Sequence, residues 1–413
     1  MSGAAPRRSG VISEFRRASQ MVKLLVVTQL AFNVGFFMVL PYLSVHLSTD
    51  LGQVAAVVGA VLGLRTVAQQ GLFFVGGAIA DRIGTKAATL TGCAIRAAGL
   101  LTLGLSPSVA GVTAGAVLTG FAAALFSPAV EAALARAATV RLDAFALFNA
   151  FGQIGAFVGP LIGALLLSVD FAAVSIAGAT VFVVIGLAHL RWLPRDEHWT
   201  PADRAVLRGL TATVGNGPFL WFAFVMAVQL VAYNQLYLLL PFELDRGWGD
   251  QHLLGVLLAL SSIVVVAAQI RTAAWAGRRP IPHALCIGLL MTAVGAASAA
   301  TAAAVGGRLA VIAGTTAFVV LLALGQMIIA PTARAAVPAF ADERYLGAYY
   351  GMYASIGGIL VLPAAAGLGA IIDAAPDSAA GRAAPWLALA FVLVLAAGFA
   401  RRFPTEMRSS TAL

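Results

Sequence analysis

Residues 76–86, GGAIADRIGTK, bring one acid and two bases within six positions, in a chain of 413 residues of which only 10% are charged. Asp81 can accept hydrogen bonds from Arg82, from Lys86 or from the first N–H groups of a neighbouring helix. We expect a latch of ion pairs that stabilises one arrangement of the surrounding helices. The alternative is a solvated turn without a functional role.

A second set of polar groups lies inside apolar runs, where a charge costs about 2.5–3.5 kcal/mol and normally faces the protein interior. Arg65 and Gln69 are one helical turn apart and would share one face. We predict that this pair contacts substrate or takes part in coupling; alternatively, Arg65 ties helices together through backbone carbonyls. Arg96 is predicted to pair with Glu131 or Asp143 and to join the latch; alternatively, it is a structural tie.

Uncharged polar and aromatic side chains form a third set. Gln229, Tyr233 and Tyr237 recur every four residues and would form one stripe on a helix. With similar residues elsewhere they predict a mostly apolar cavity with a few polar anchors, which suits lipophilic or amphipathic organic molecules. For each residue alone, a hydrogen bond between helices is the alternative. The predicted cavity residues are Asn33, Phe36, Arg65, Gln69, Asn149, Gln153, Gln229, Tyr233 and Tyr237.

The elements that must position these residues are membrane-spanning helices. Hydrophobic residues make up 61% of the chain and its mean hydropathy is +0.93, whereas soluble domains are nearer half apolar and a quarter charged. Runs of about 20 residues or more can cross a hydrocarbon core of about 30 Å. We predict an all-α integral membrane protein with twelve spans, at 22–47, 54–80, 86–106, 109–132, 143–168, 171–190, 218–242, 252–276, 283–305, 309–332, 346–371 and 384–401.

The positive charges predict which way the spans face. Of the 26 Lys and Arg residues, Arg65 and Arg96 fall inside spans, and Arg246, Arg308 and Arg382 fall in loops on one side. The remaining 21 fall in the tails, in the loops or near the span ends on the other side. Since cytoplasmic loops are enriched in Lys and Arg, we predict a multi-pass protein of the bacterial plasma (inner) membrane with both termini in the cytoplasm.

The twelve predicted spans divide into two halves of six. A polar cytoplasmic loop at 191–217 separates an N-terminal half, 1–190, from a C-terminal half, 218–413. Residues 127–141 and 330–344 align at an offset of 203, which is a weak internal repeat at the position that a duplication predicts. Parallel halves of this kind are a transporter architecture.

The segment GAIADRIGTK resembles the loop 2–3 signature of the major facilitator superfamily, Gly-x-x-x-Asp-Arg-x-Gly-Arg-Lys, with Thr85 in place of the second basic residue. The resemblance implies two six-helix halves and a charged latch at the cytoplasmic side, in which Gly84 permits a tight turn and Gly77 a close helix approach. The predicted latch residues are Gly77, Asp81, Arg82, Gly84 and Lys86, which match the signature, with Arg96, Glu131 and Asp143.

Span 5 contains GAFVGPLIGA, which resembles the Gly-x-x-x-Gly-Pro-x-x-Gly-Gly motif of the antiporters in this superfamily. Gly155, Gly159, Pro160 and Gly163 match, and Ala164 takes the last place. The glycines would form a smooth face against another helix, and Pro160 favours a kink. The resemblance implies an exporter; the alternative is a packing seam without functional content.

The stretches 35–41, 63–86 and 96–99 are similar to multidrug-efflux proteins of the MdtH type. The resemblance implies a secondary transporter that exports small lipophilic or amphipathic compounds by alternating access in exchange for protons, and that works as a monomer in the lipid bilayer. No acid lies near mid-membrane on this map, and Ala116 stands where these antiporters carry an arginine. Three alternatives therefore stay open: a dedicated exporter of one endogenous metabolite, lipid-like product or sugar; an uncoupled facilitator; and a non-transporting sensor or assembly partner.

Other functional classes have little support in the sequence. Cys93 and Cys286 are too sparse for a zinc site or a disulfide framework, and the five histidines lie at predicted helix ends or in loops. No phosphate-binding loop occurs, so ATP is not expected, and no aromatic-basic surface suggests nucleic acid. We predict no enzymatic activity, no cofactor and no bound metal.

Overall fold

The computed structural model describes residues 15–16, 18–137, 141–193, 211–248, 252–341 and 346–403, and the regular structure in these residues is helical throughout. The all-helical prediction is confirmed, and a helical segment lies at each of the twelve predicted spans, with ends close to those expected. In order, the spans are Gln20–Val45 continued by the π-helix His46–Asp50; Ala55–Thr66, Val67–Gly71 and Phe73–Ile83; Thr85–Leu105; Val109–Ala137; Arg141–Leu167; Phe171–Trp192; Gly217–Asn234 and Leu239–Trp248; His252–Gly277; Ile281–Val305; Arg308–Ala336; Leu346–Ala374; and Ala379–Ala400.

Ten helical segments among the described residues are long and apolar enough to cross a membrane, and span 8 is an eleventh if its bend of 55° is allowed. Span 2 is divided by the π-helix Val67–Gly71 and span 7 by a turn after Asn234. Breaks of this kind occur in membranes only where the freed backbone groups find partners inside the protein. In span 7 the N–H of Leu240 donates to the carbonyl of Gln235 at 3.0 Å.

The packing order of the helices repeats between the halves. Spans 1 and 5 pack together, as do 3 and 4, and 3 and 6; the corresponding pairs 7 and 11, 9 and 10, and 9 and 12 do the same. Span 2 packs along span 11, and span 5 along span 8, which joins the halves at two related places. The boundaries 1–190, 191–217 and 218–413 stay a prediction, because 194–210 lies outside the described residues.

Small residues allow the closest helix contacts, as expected where lipid removes the hydrophobic force between helices. A Cβ on Gly155 would lie 2.5 Å from the carbonyl oxygen of Leu30, so the glycine face of span 5 packs on span 1 within the same half. The seam between halves is also close: a Cβ on Gly63 would lie 2.6 Å from the Cα of Leu362 in span 11. A role of the span 5 motif in rocking or sealing stays a prediction.

We call the end of the bundle that carries loops 2–3, 4–5, 8–9 and 10–11 the basic end. At the opposite end, both carboxylate oxygens of Asp373 in span 11 accept hydrogen bonds from span 2, from the N–H groups of Ala55 and Ala56, each at 2.8 Å. The residue before this helix, Val54, has no side chain that could cap it. Asp373 therefore caps a helix of the other half and favours contact of the halves at this end.

Gly155→Ala is expected to destabilise the protein by about 1–3 kcal/mol, because the added methyl group overpacks the contact with span 1. Gly367→Ala in span 11 is the matched control, since a Cβ there meets no atom within 4 Å. The thermal unfolding midpoint of the purified protein in detergent should fall for the first variant and stay level or rise for the second. Equal midpoints would contradict the inferred close packing.

Asp373→Ala is expected to increase the fraction of molecules that are open at the end opposite the basic loops, about fivefold if the cap contributes about 1 kcal/mol. Asp377→Ala is the control, since the Asp377 side chain is 93% exposed.

Spin labels at Leu105 and Leu309, two exposed positions at that end in opposite halves, would report the change as a longer inter-label distance. Cys93 and Cys286 are buried and would stay unlabelled in the folded protein. An unchanged distance distribution in Asp373→Ala would show that the cap does not hold the halves together.

Candidate functional site

A cavity with two lobes lies between the halves. The larger lobe has a volume of about 610 Å³, which is within the usual range for small-molecule sites, and the smaller lobe has a volume of about 260 Å³. The two lobes are adjacent, because five residues line both of them: Gln29, Asn33, Phe37, Tyr233 and Tyr237. Spans 1 and 7, which correspond to each other in the two halves, thus form the wall between the lobes.

Two buried arginines line the smaller lobe: Arg65 is 4% exposed and Arg96 is 3% exposed. The guanidinium of Arg65 donates a hydrogen bond to Oε1 of Gln69, which confirms that these two residues share a face. Nη1 of Arg96 donates to the carbonyl of Thr119 in span 4 at 2.9 Å. Arg96 thus faces the cavity, whereas the sequence suggested a pairing with the acid Glu131 at the basic end.

Phe36 of span 1 contacts both arginines. Its ring centroid lies 4.7 Å from Cζ of Arg65 and 5.1 Å from Cζ of Arg96. Arg96 also lies 5.1 Å from the ring centroid of Phe182 and 5.9 Å from that of Phe126. The negative face of an aromatic ring attracts a cation, so these rings stabilise the two charges without neutralising them.

Thr66 and Asn234 join the halves at the smaller lobe and were not among the predicted site residues. The Thr66 hydroxyl in span 2 lies 3.0 Å from Oδ1 of Asn234, the last residue of the first helix of span 7. The sequence did give one signal for Asn234, because it is an amide in an apolar run that also holds the predicted cavity residues Tyr233 and Tyr237. Its partner, however, lies 168 residues away in the chain, and the sequence does not show which helix faces which.

The larger lobe extends from the tyrosines of span 7 to the basic end. Asn149 and Gln153 of span 5, Gln269 of span 8 and Gln326 of span 10 line it, and Arg334 lies near its mouth. The two adjacent lobes are therefore lined by eight of the nine predicted residues: Asn33, Phe36, Arg65, Gln69, Asn149, Gln153, Tyr233 and Tyr237.

Gln229 has a different position, between spans 7, 10 and 11. Its Nε2 donates to the Tyr353 hydroxyl at 2.7 Å, and its backbone carbonyl accepts from Nε2 of Gln326 at 2.9 Å. The hydroxyls of Tyr237 and Tyr233 lie 3.4 Å apart. The predicted stripe is therefore divided: Gln229 makes a contact among helices, whereas Tyr233 and Tyr237 line the cavity wall.

The predicted latch residues lie around the turn between spans 2 and 3. Gly84 has a φ of 85°, which favours glycine. Nζ of Lys86 donates to the carbonyls of Leu190 and Leu193 at 2.9 and 2.6 Å, so it interacts with the C-terminal end of span 6. Arg82 is exposed and Gly77 has open space beside it. The latch itself stays a prediction, since the side chains of Asp81 and Asp143 lie outside the described residues.

An acidic and a basic side chain from opposite halves interact at the basic end. Glu131 of span 4 interacts electrostatically with Arg334 of span 10, which is its counterpart in the internal repeat.

In the part of the chain that the structure describes, no group of three His, Cys, Asp or Glu side chains is placed to hold a metal ion.

Comparison with known proteins agrees with this architecture. Residues 25–365 match the sequence profile of the Major Facilitator Superfamily. An uncharacterized MFS-type transporter of Mycobacterium tuberculosis is 36% identical over 378 residues, which are 89% of each chain. The multidrug resistance protein MdtH of Salmonella typhi is 30% identical over 272 residues, 65% of this chain and 67% of its own.

Solved structures show the same fold at low sequence identity. A POT family transporter in complex with 5-aminolevulinic acid has a TM-score of 0.76 at 13% identity and covers 94% of this chain and 96% of its own. The nucleoside transporter NupG has a TM-score of 0.74 at 15% identity and covers 92% and 98%. The profile matches most of the chain, and the helices and the central cavity agree with it. This chain is therefore a multi-pass membrane protein of the major facilitator superfamily.

Proposed function

We propose that this protein exports small lipophilic or amphipathic organic compounds from the cytoplasm by alternating access, in exchange for protons. The cavity between the halves carries the proposal. It lies where the halves meet and combines aromatic rings with amides and arginines. The similarity to the multidrug resistance protein MdtH supports broad export over a dedicated role.

The shape of the cavity supports alternating access. With the basic end in the cytoplasm, as the distribution of Lys and Arg predicts, the larger lobe leads from mid-depth to the cytoplasmic side. At the other side Asp373 caps span 2 and brings the halves together. This is the inward-facing arrangement of a transporter whose halves rock about the site between them.

Substrate would bind between Phe36, Tyr233 and the polar side chains of the two lobes. Aromatic rings supply apolar contact area, and Asn33, Gln69 and Gln153 supply a few hydrogen bonds that fix orientation. Binding that favours contact between the halves at the basic end would close the larger lobe. The same closure would break the contact of Asp373 and open the other side.

Proton exchange requires a titratable group outside the cavity wall, because the described residues that line the two lobes include no Asp or Glu. Glu131 is the acid we propose, since it interacts with Arg334 near the mouth of the larger lobe. Protonation would remove this attraction between spans 4 and 10. Proton transfer at Glu131 would then change the free energy of contact between the halves at the basic end.

Arg65→Ala is expected to reduce substrate transport at least about tenfold while the protein still inserts, because the variant removes the cation held beside Phe36 in the cavity. Arg278→Ala, at an exposed arginine of loop 8–9, is the control and should transport normally. The measurements are the movement of each compound and the pH inside proteoliposomes after addition of lipophilic cations, neutral drugs and amphipathic anions. Normal transport by Arg65→Ala would contradict the assignment of the site.

Glu131→Gln is expected to keep substrate exchange but to lose substrate-driven proton movement, by at least about tenfold, because the amide cannot release a proton at neutral pH. Glu243→Gln, at an acid of the opposite end that pairs with Arg246, is the comparison and should keep proton coupling. Intact coupling in Glu131→Gln would exclude Glu131 as the proton carrier.

The wild-type protein in the same proteoliposomes separates the alternatives. Movement of a single compound class would indicate a dedicated exporter, and movement that a proton uncoupler leaves unchanged would indicate a facilitator. If none of the compounds moves, the non-transporting sensor or assembly partner becomes the better explanation, and the proposed function is wrong.

A further inference from the structure

We propose that the ligands of the smaller lobe are amphipathic organic anions, whose charged group pairs with Arg65 and Arg96. This inference rests on the proposed function for its role in export, but it can be tested by binding alone. It narrows the substrate class beyond lipophilic compounds in general, and it assigns the two arginines a common partner.

The net charge of the cavity is the first argument. Arg65 and Arg96 line the smaller lobe, each more than nine-tenths buried, and Arg334 lies along the larger lobe. The described lining of both lobes contains no Asp or Glu. A cavity of one sign with apolar walls concentrates ligands of the opposite sign, and two buried cations without an acid gain most from an anionic ligand.

The incomplete hydrogen bonding of the arginines is the second argument. A guanidinium has five N–H donors. Arg65 donates to the amide of Gln69 and Arg96 to the carbonyl of Thr119, and both acceptors are neutral. The Nε of Arg96 is buried and has no hydrogen-bond partner in the structure. A carboxylate or sulfonate accepts several N–H groups at once and is the strong, often bidentate partner of arginine.

The aromatic surroundings define the rest of the ligand. Phe32, Phe36, Phe37 and Phe126 line the smaller lobe together with Tyr233 and Tyr237. A small inorganic anion would leave this apolar surface uncovered, whereas an aromatic or alkyl body would cover it. A lipophilic cation would add a third positive charge beside two buried ones, and a neutral compound would leave their charge unpaired.

Three probes of one shape test the inference: 4-butylbenzoate, 4-butylbenzamide and 4-butylbenzylammonium, with inorganic phosphate as a fourth arm. The purified full-length protein in detergent is heated with a thiol-reactive fluorogenic dye, which reports unfolding because Cys93 and Cys286 are both buried. A ligand that binds the folded state raises the unfolding midpoint in proportion to its occupancy. We expect the benzoate to raise it at concentrations at least about tenfold lower than the other three require.

Variants connect the effect to the arginines. Arg65→Gln and Arg96→Gln are expected to weaken benzoate binding at least about tenfold each, and the exposed control Arg278→Gln to leave it unchanged. Arg65→Lys and Arg96→Lys serve where a Gln variant does not fold. They keep the charge but lose the planar donors, so they should bind the benzoate more weakly and still prefer it to the ammonium.

The outcomes are decisive for the inference. Absence of benzoate binding, equal binding of the amide or the ammonium, or benzoate binding that survives both Gln variants would each overturn it. Phosphate binding as tight as that of the benzoate would overturn the amphipathic part. Benzoate binding that needs the arginines, without counterflow of labelled benzoate in proteoliposomes, would support the inference and contradict the transport function. Transport of the ammonium without benzoate binding would support the transport function and overturn the inference.

Discussion

Two guanidinium charges held within the membrane interior constrain the arrangement of the helices around them. Each would cost several kcal/mol if it faced lipid, so the surrounding spans must enclose both. Phe36 of span 1 contacts Arg65 of span 2 and Arg96 of span 3, and span 4 supplies the Thr119 carbonyl. Four spans of one half are thus fixed relative to one another by cation–π contacts and hydrogen bonds. The cavity is the space that remains beside this cluster when the second half closes over it.

The contacts between the halves are of a different kind from those within them. In the seam of spans 2 and 11, glycines allow close backbone contact, such as that of Gly63 with Leu362. Beside this seam, Thr66 of span 2 contacts Asn234 of span 7. Close contacts of small residues supply packing without interdigitated side chains. In the proposed mechanism, such a seam would let one half tilt against the other, and the two hydrogen bonds of Asp373 would favour closure at its end.

Hydropathy and charge predicted much of this fold from the sequence. The positions of the spans follow from the lengths of the apolar runs, and the shared face of Arg65 and Gln69 follows from helical spacing. The partners of Arg96 did not follow. Sequence gives the depth of a residue along a span, whereas the direction in which it points depends on packing against neighbouring helices. The predicted partners at the basic end carry the opposite charge to Arg96, but the side chain of Arg96 lies against Phe36 instead.

Contacts between distant segments were the other part that the sequence could not supply. Asp373 caps a helix that begins 318 residues earlier, and no local pattern marks either partner. The break in span 7 is similar, because the run from Val231 to Leu240 is apolar enough to continue a helix. Its turn is stabilised by partners from the rest of the bundle. Tyr233 lies before that turn and Tyr237 after it, and both line the cavity.

The charge of the cavity also bears on the energetics of export. Moving one elementary charge through 100 mV is worth about 2.3 kcal/mol, and the interior of a respiring bacterium is negative. Export of a monoanion is therefore driven outward by the membrane potential itself, whereas export of a cation works against it. A transporter with arginines in its cavity, and with no carboxylate in the described lining, would for this reason need less energy from proton exchange than an exporter of lipophilic cations. The absence of a carboxylate from that lining, which weakens a cation-exporting mechanism, is thus compatible with the export of anions.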